Sequence, residues 1–329
     1  MVTPIPLAKP DFGQNETRHL WFAVKDGYLT HRGEYERKFE RLFTKTTGKP
    51  SLATSSGTGA LHCALLALGI GRGDEVIVPT LTFGSTASVV VQVGAKPVFV
   101  DGVPMDWELV KKAVTKKTKA IIPVHIYGER CHFEDIGIPI IEDSCEALGY
   151  VEPTGTFAAY SFYGNKVITC GEGGMLVGND LVRAAQFRDG GFDADYDMSV
   201  AGLNYRMTNM QAAIGFAQLE RLKELLEKRN KVVATYQKWI EGFGKWLFVA
   251  KTHNPKALQE HLKKHGIESR PVFKPLHLTH AFNQVGYFPK AVEFWKTGLC
   301  LPTGTHVSES QAAMIAKLVR EHERISQAA

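Results

Sequence analysis

Three short stretches carry residue types whose chemistries complement one another. In SFYGNKVITCGEGG, Ser161 to Gly174, Lys166 lies between an aromatic, strand-like run and a glycine cluster, not on a polar helix face. An amine taken out of water favours its neutral form, and a neutral amine can attack a carbonyl to form a Schiff base. In IIEDSCEALG, Ile140 to Gly149, Asp143 closes an apolar run. A buried carboxylate is costly unless a positive group or several donors meet it. In SSGTGAL, Ser55 to Leu61, a strand ends, Gly57 turns the chain and a helix begins. Free N–H groups at a helix start bind anions, the helix dipole adds to this, and Thr58 offers a hydroxyl.

Taken singly, each stretch has an ordinary explanation. Ser56 or Thr58 can simply cap a helix, Asp143 can cap the next turn, and Lys166 can be a salt-bridged structural lysine. Taken together they meet the needs of pyridoxal 5'-phosphate: an anion cradle, an amine for the aldehyde, and a carboxylate that keeps the ring nitrogen protonated so that the ring draws electrons.

These residues need a scaffold that places them side by side. His31 to Gly48 has helical spacing, with Tyr35, Phe39, Leu42 and Phe43 on one face. From residue 51 the pattern alternates strand and helix, with PVFVD, AIIPVHIYG and IPIIEDSCE as apolar strands that do not alternate in polarity. Such strands are covered on both faces, so the sequence predicts an α/β fold with a mostly parallel sheet, whose ligands sit at the carboxyl ends of the strands. Thr58, Asp143 and Lys166 all fall at or just past predicted strand ends. Thr208 to Gly242 reads as a long helical stretch bridging to a second unit. Strand, helix, strand and a final helix then make a smaller α/β domain. The expected division is residues 1–240, with the N-terminal segment and the bridging helix, and residues 241–329.

Composition excludes other classes. The chain has 329 residues, 44% hydrophobic, which is enough for a large core, and no apolar run approaches a membrane span. The five cysteines are scattered without a CxxC pair, which argues for reduced thiols and against a disulfide or zinc framework. The net charge of +5 lacks the clustered stripe that nucleic-acid binding needs; KKAVTKKTK, Lys111 to Lys119, reads as a solvated helix end. No signal-peptide layout is present, so the cytoplasm is the expected compartment.

The sequence resembles the sugar-nucleotide aminotransferases of the DegT/DnrJ/EryC1/StrS family, which have the fold type I, aspartate aminotransferase-like architecture. The resemblance runs through PLAKPDF, SSGTGALHCALLALGIGRGDEVIVPTLTF, IEDSCEALG, SFYGNKVITCGEGGM, GLNYRMTNMQAAIGFAQLERL, SRPVFKPLH and CLPTGTHVSES, almost the whole chain. It implies that Lys166 holds the cofactor as a Schiff base and later moves the proton on the substrate carbon. It implies that Asp143 partners the pyridine nitrogen and that Gly57, Thr58 and Ser161 hold the phosphate. It places Phe83 on the ring, and Glu146, where many relatives have Gln, near the ring hydroxyl. Asn204 matches a residue that reaches the phosphate of a neighbouring subunit, so the resemblance implies a homodimer with shared sites. Arg270, Phe273 and His277 fall where relatives keep residues near the substrate or the neighbouring site, and Tyr28 to Glu36 matches a loop used near the sugar.

GNK before the glycine turn, together with NYRMTN, is most similar to relatives that aminate C4 of a 4-keto-6-deoxy sugar, with a GDP-linked sugar favoured and L-glutamate as the donor. Amination at C3, a dehydratase and a non-catalytic binding protein are the competing expectations; relatives of the dehydratase type carry histidine where this chain has Lys166. The chain departs from the family in one respect. Only ERCHFEDIGIP stands where relatives usually have a longer stretch with a helix, and the segment after ALG is also brief.

Overall fold

The apolar runs form a sheet whose order explains how three distant stretches can meet. The computed structural model describes residues 4–192 and 195–328. Among them are eleven strands: β1 (Ser51–Thr54), β2 (Glu75–Pro79), β3 (Lys96–Val100), β4 (Thr118–Ile121), β5 (Ile141–Asp143), β6 (Phe157–Ser161), β7 (Gly174–Gly178), β8 (Gly242–Phe243), β9 (Phe248–Lys251), β10 (Arg270–Pro271) and β11 (Gly298–Leu301). β2 pairs in parallel with β3 and β4, and β5 in parallel with β6, while β7 runs antiparallel to both β6 and β1. Single parallel bridges, Ile121 to Ile140 and Val124 to Asp143, join the two groups into the order β3-β2-β4-β5-β6-β7-β1. The predicted mostly parallel α/β sheet is therefore present, with β7 as its antiparallel member.

The helix Gly57–Ala67 follows β1 and is apolar on nearly every side, because it lies between the sheet and further helices; Leu61 and Leu65 are fully buried. The helix Glu34–Thr47 buries the predicted stripe of Tyr35, Phe39 and Phe43, while Leu42 is half-buried. The Phe39 ring lies 5.0 Å from that of Phe162, the residue after β6, so this stripe supports the base of the lysine loop. A second, all-antiparallel sheet has the order β10-β11-β9-β8. Leu258 and Leu262 of one helix and Ile315 and Val319 of another pack with it in a separate apolar cluster.

Three features differ from the sequence expectation. The long helical stretch is two helices, Asn209–Glu220 and Leu222–Trp239, broken at Arg221. The two halves serve different cores: Ala212, Ala213 and Leu219 pack beneath the large sheet, and Val232, Val233 and Tyr236 pack with the second. Arg221 binds Asp11, Glu16 and Glu224, which fastens the N-terminal segment at the break. A helix also spans Gln14–Lys25 without an apolar stripe, since one of its two buried residues is Glu16, held by Gln218 and Arg221. Finally, the expected strand through Tyr127 stops at Ile121 and ends in a turn, with Tyr127 at φ 54°.

Among the described residues the parallel crossover from β4 to β5 contains no α-helix. Phe133, Ile136 and Ile138 cover that face of the sheet instead, beside the buried Trp107 and Ile140. A buried pair anchors both short segments to β5. His125 Nδ1 accepts the Cys131 N–H (3.0 Å), so its Nε2 carries the hydrogen that it donates to Glu142 Oε2 at 2.7 Å. Glu142 Oε1 accepts the Thr154 and Gly155 amides at 2.6 and 2.5 Å. Burial pushes Glu142 up, but the hydrogen bonds from His125 and the two amides outweigh it and hold the carboxyl below its ordinary value.

Candidate active site

At the carboxyl ends of β1, β5 and β6 opens a cavity of about 570 Å³, within the range of small-molecule sites. Nine of the predicted residues line it: Gly57, Thr58, Phe83, Asp143, Glu146, Ser161, Lys166, Arg270 and Phe273.

The anion end is built first. Ser56 caps the helix Gly57–Ala67, its Oγ accepting the Gly59 N–H at 3.0 Å, and the Gly57 and Thr58 amides head the helix. Thr58 Oγ1 donates to Ser85 Oγ at 2.8 Å, which adds Ser85 to the polar wall. The cap reading of SSGTGAL therefore falls on Ser56, which leaves the Gly57 and Thr58 amides at the head of the helix facing the cavity. The turn requires glycines. A Cβ on Gly57 would lie 2.6 Å from Cys145 Sγ and 3.0 Å from Ser161 Cβ, and one on Gly174 would lie 2.3 Å from the Ser56 carbonyl carbon. GEGG is thus a close approach of β7 to the turn after β1.

Asp143 ends β5 and is buried. Its Oδ2 accepts the Thr86 hydroxyl at 2.8 Å and its Oδ1 the Cys145 amide at 3.2 Å. Two neutral donors orient the carboxyl group, and a cationic N–H in the cavity would complete its surroundings.

Lys166 sits on the loop between β6 and β7, its side chain only 14% exposed. Nζ is 3.5 Å from Glu146 Oε1 and 4.0 Å from the centre of the Trp246 ring. Glu146 Oε2 accepts the Tyr127 amide at 2.7 Å. Burial raises the Glu146 carboxyl above its ordinary range, and the nearby Lys166 ammonium and Tyr127 amide partly oppose this. Phe83 is 60% exposed on the lip of the cavity and meets Phe273 edge-on at 5.9 Å. Arg270 lies over the same Phe273 ring at 5.6 Å.

Two predicted residues stand elsewhere. His277 does not line the cavity: it is buried, with Nδ1 2.6 Å from Thr80 Oγ1 and its ring 4.4 Å from that of Phe288, which is the environment of a core histidine. Asn204 is exposed outside the cavity and bridges backbone to Asp189. Sequence reading missed Thr86, Trp246 and Tyr127. The hydroxyl of Thr86 lies one helical turn from Thr82, with which it also bonds, but nothing in LTFGSTAS marks it as the partner of Asp143.

The donor set fits pyridoxal phosphate: a helix N-terminus with hydroxyls for a phosphate, a buried carboxylate for a ring N–H, an amine for an aldehyde and an aromatic over the opening. Such a site on such a sheet defines an aminotransferase of fold type I that uses this cofactor. The sequence profile of the DegT/DnrJ/EryC1/StrS aminotransferase family matches residues 10–320, and the chain belongs to that family. It is 35% identical to the GDP-perosamine synthase of Escherichia coli O157:H7, over 96% of this chain and 98% of that protein. It is 37% identical to the GDP-perosamine synthase of Caulobacter vibrioides, over 83% and 85% of the two chains. The solved PLP form of Spr1654 from Streptococcus pneumoniae superimposes with a TM-score of 0.90 at 26% identity, over 98% of this chain and 99% of that one.

Proposed function

We propose that this enzyme transfers the amino group of L-glutamate to C4 of a nucleotide-linked 4-keto-6-deoxy sugar, with GDP as the favoured nucleotide. One observation carries the chemistry: Lys166, Asp143 and the head of the helix Gly57–Ala67 line one cavity. The similarity to two GDP-perosamine synthases supports the choice of sugar and nucleotide.

When bound, the cofactor supplies an aldehyde for amines and a ring that takes up electrons. The Gly57 and Thr58 amides and the Thr58 and Ser161 hydroxyls hold its phosphate. Asp143, kept in place by Thr86 and Cys145, accepts the ring N–H and holds that proton. Phe83 covers the ring face and excludes water. Lys166 Nζ would hold the aldehyde, the carbonyl oxygen leaving as water; displaced by the incoming amine, it would take the proton from the donor carbon and, in the second half-reaction, deliver a proton to C4 of the sugar. Glu146, seated on the Tyr127 amide, orients Nζ and the ring hydroxyl. Arg270 suits the diphosphate, because its planar fork binds phosphate oxygens in pairs. The enzyme acts as a homodimer in the cytoplasm, with Asn204 reaching the partner's site, and divides at residues 240 and 241. No helix among the described residues is long and apolar enough to cross a membrane.

Mass analysis of products from glutamate and a panel of GDP-, UDP- and dTDP-linked keto sugars tests the assignment. A GDP-linked 4-amino sugar is expected. A 3-amino or deoxygenated product, or none from any sugar, refutes it.

A further inference from the structure

The resting role of Lys166 leaves open what, besides Glu146, holds the amine once a substrate amine has displaced it. Its stem has four rotatable carbons, and the freed amine, an ammonium once it has taken the substrate proton, could swing out of the cavity. Glu146 Oε1, at 3.5 Å, is at the long limit of a hydrogen bond. On a second side stands the face of Trp246, with its ring centre 4.0 Å from Nζ, within the range of a cation–π contact.

That indole is fixed from every side. Its Nε1 donates to the carbonyl of Asn165, the residue before the lysine, at 2.9 Å. Its backbone N–H donates to Tyr127 O at 2.9 Å. The tyrosine ring lies nearly parallel to it, at 15° and 6.4 Å. Arg229, wholly buried, donates to Trp246 O at 3.1 Å and to Lys166 O at 3.4 Å, so one guanidinium ties the backbones of both residues together. The ring is 1% exposed and lines the cavity. A tryptophan serving only as core filler has no need of an ammonium on its face, nor of a hydrogen bond to the neighbour of that lysine.

We infer that Trp246 is a positioning residue for the reaction, a platform that holds the freed Lys166 amine over the reacting carbon through its ring face. The inference rests on the role proposed for Lys166. The titratable groups that interact with the amine are Glu146 and Cys145, with Asp143 beside both, and none of them lies on the segment that carries Trp246.

The test uses the full-length chain freed of cofactor, with its lysines labelled by reductive 13C-methylation and the Lys166 resonance assigned by its absence in Lys166→Met. Nuclei above an aromatic face shift upfield. The Lys166 resonance is expected upfield in the wild type and in Trp246→Phe, and at the ordinary lysine position in Trp246→Leu. In the loaded enzyme, Trp246→Leu is expected to lower kcat roughly three- to thirtyfold, the span of a cation–π contact, with KM for glutamate unchanged, and Trp246→Phe to stay nearer the wild type. An unshifted resonance in the wild type, or wild-type kcat in Trp246→Leu, overturns the inference. If Trp246→Leu does not fold, the wild-type and Trp246→Phe spectra decide. Borohydride trapping separates the two readings: label on Lys166 without the upfield shift removes this inference alone, whereas no label on Lys166 removes the function proposed for the lysine.

Discussion

Gly57→Ala puts one methyl group where three strands converge. The added Cβ would stand 2.6 Å from Cys145 Sγ, 3.0 Å from Ser161 Cβ and 3.3 Å from Tyr160 O, where ordinary contacts begin near 3.4 Å. The backbone at Gly57 is not left-handed, so alanine meets a packing problem and not a torsional one. Overpacking of this kind costs about 1–3 kcal/mol. Replacing glycine by alanine in a helix returns at most about 1 kcal/mol. If the full return is realised, the net loss is about 0–2 kcal/mol, which in a 329-residue chain corresponds to a fall in Tm of up to about 3 °C. The displaced atoms belong to the phosphate cradle and to the turn that follows Asp143, so affinity for pyridoxal phosphate should fall with stability. Calorimetry and cofactor titration of Gly57→Ala, Cys145→Ala and the double variant measure this. Cys145→Ala removes the sulfur at 2.6 Å, and the double variant should recover about half the loss, a coupling typical of residues in contact. If Gly57→Ala leaves both Tm and affinity unchanged, the tight convergence of β1, β5 and β6 is wrong.

Other perturbations address separate parts of the molecule. Lys166→Ala is expected to abolish transamination while leaving Tm within about 2 °C, because the side chain borders the cavity and does not fill a core; residual turnover above a thousandth of wild type in a coupled glutamate assay would refute its role. Arg270→Ala is expected to raise KM for the sugar nucleotide roughly tenfold and leave the glutamate half-reaction untouched, measured by single-turnover absorbance. Burial raises Glu36 to about 7 against the pull of Arg188. A carboxyl raised in the folded state stabilises below its unfolded value of 4.5 and loses that contribution as pH rises to about 7, by about 3 kcal/mol at most. The Tm of Glu36→Gln relative to wild type should therefore climb between pH 5 and 7.5, and a flat difference would contradict this.

How much was legible in the sequence follows from how local each signal is. Asp143 and Lys166 could be found because an apolar run ending in one polar residue marks a strand end, and strand ends in parallel sheets converge. The Phe39 and Phe43 stripe was legible because helical spacing puts both on one face. Trp246 was not, since its place under Lys166 depends on Arg229 and Tyr127, and no spacing records those contacts. His277 stands apart from the cavity although PLH continues the run that carries Arg270 and Phe273, because the chain turns inward at Leu276 and presents the imidazole to Thr80. The break at Arg221 was hidden because both flanking helices keep helical spacing and differ only in which core they meet.

The lip of the cavity has a thermodynamic consequence. Phe83 leaves 60% of its surface in water, beside the half-buried Phe273. Whatever lies against that ring withdraws apolar area from solvent, so association should carry a negative heat-capacity change. Titrations at 15 and 35 °C would then give distinctly more exothermic heats at the higher temperature, and Phe83→Ser should flatten that trend.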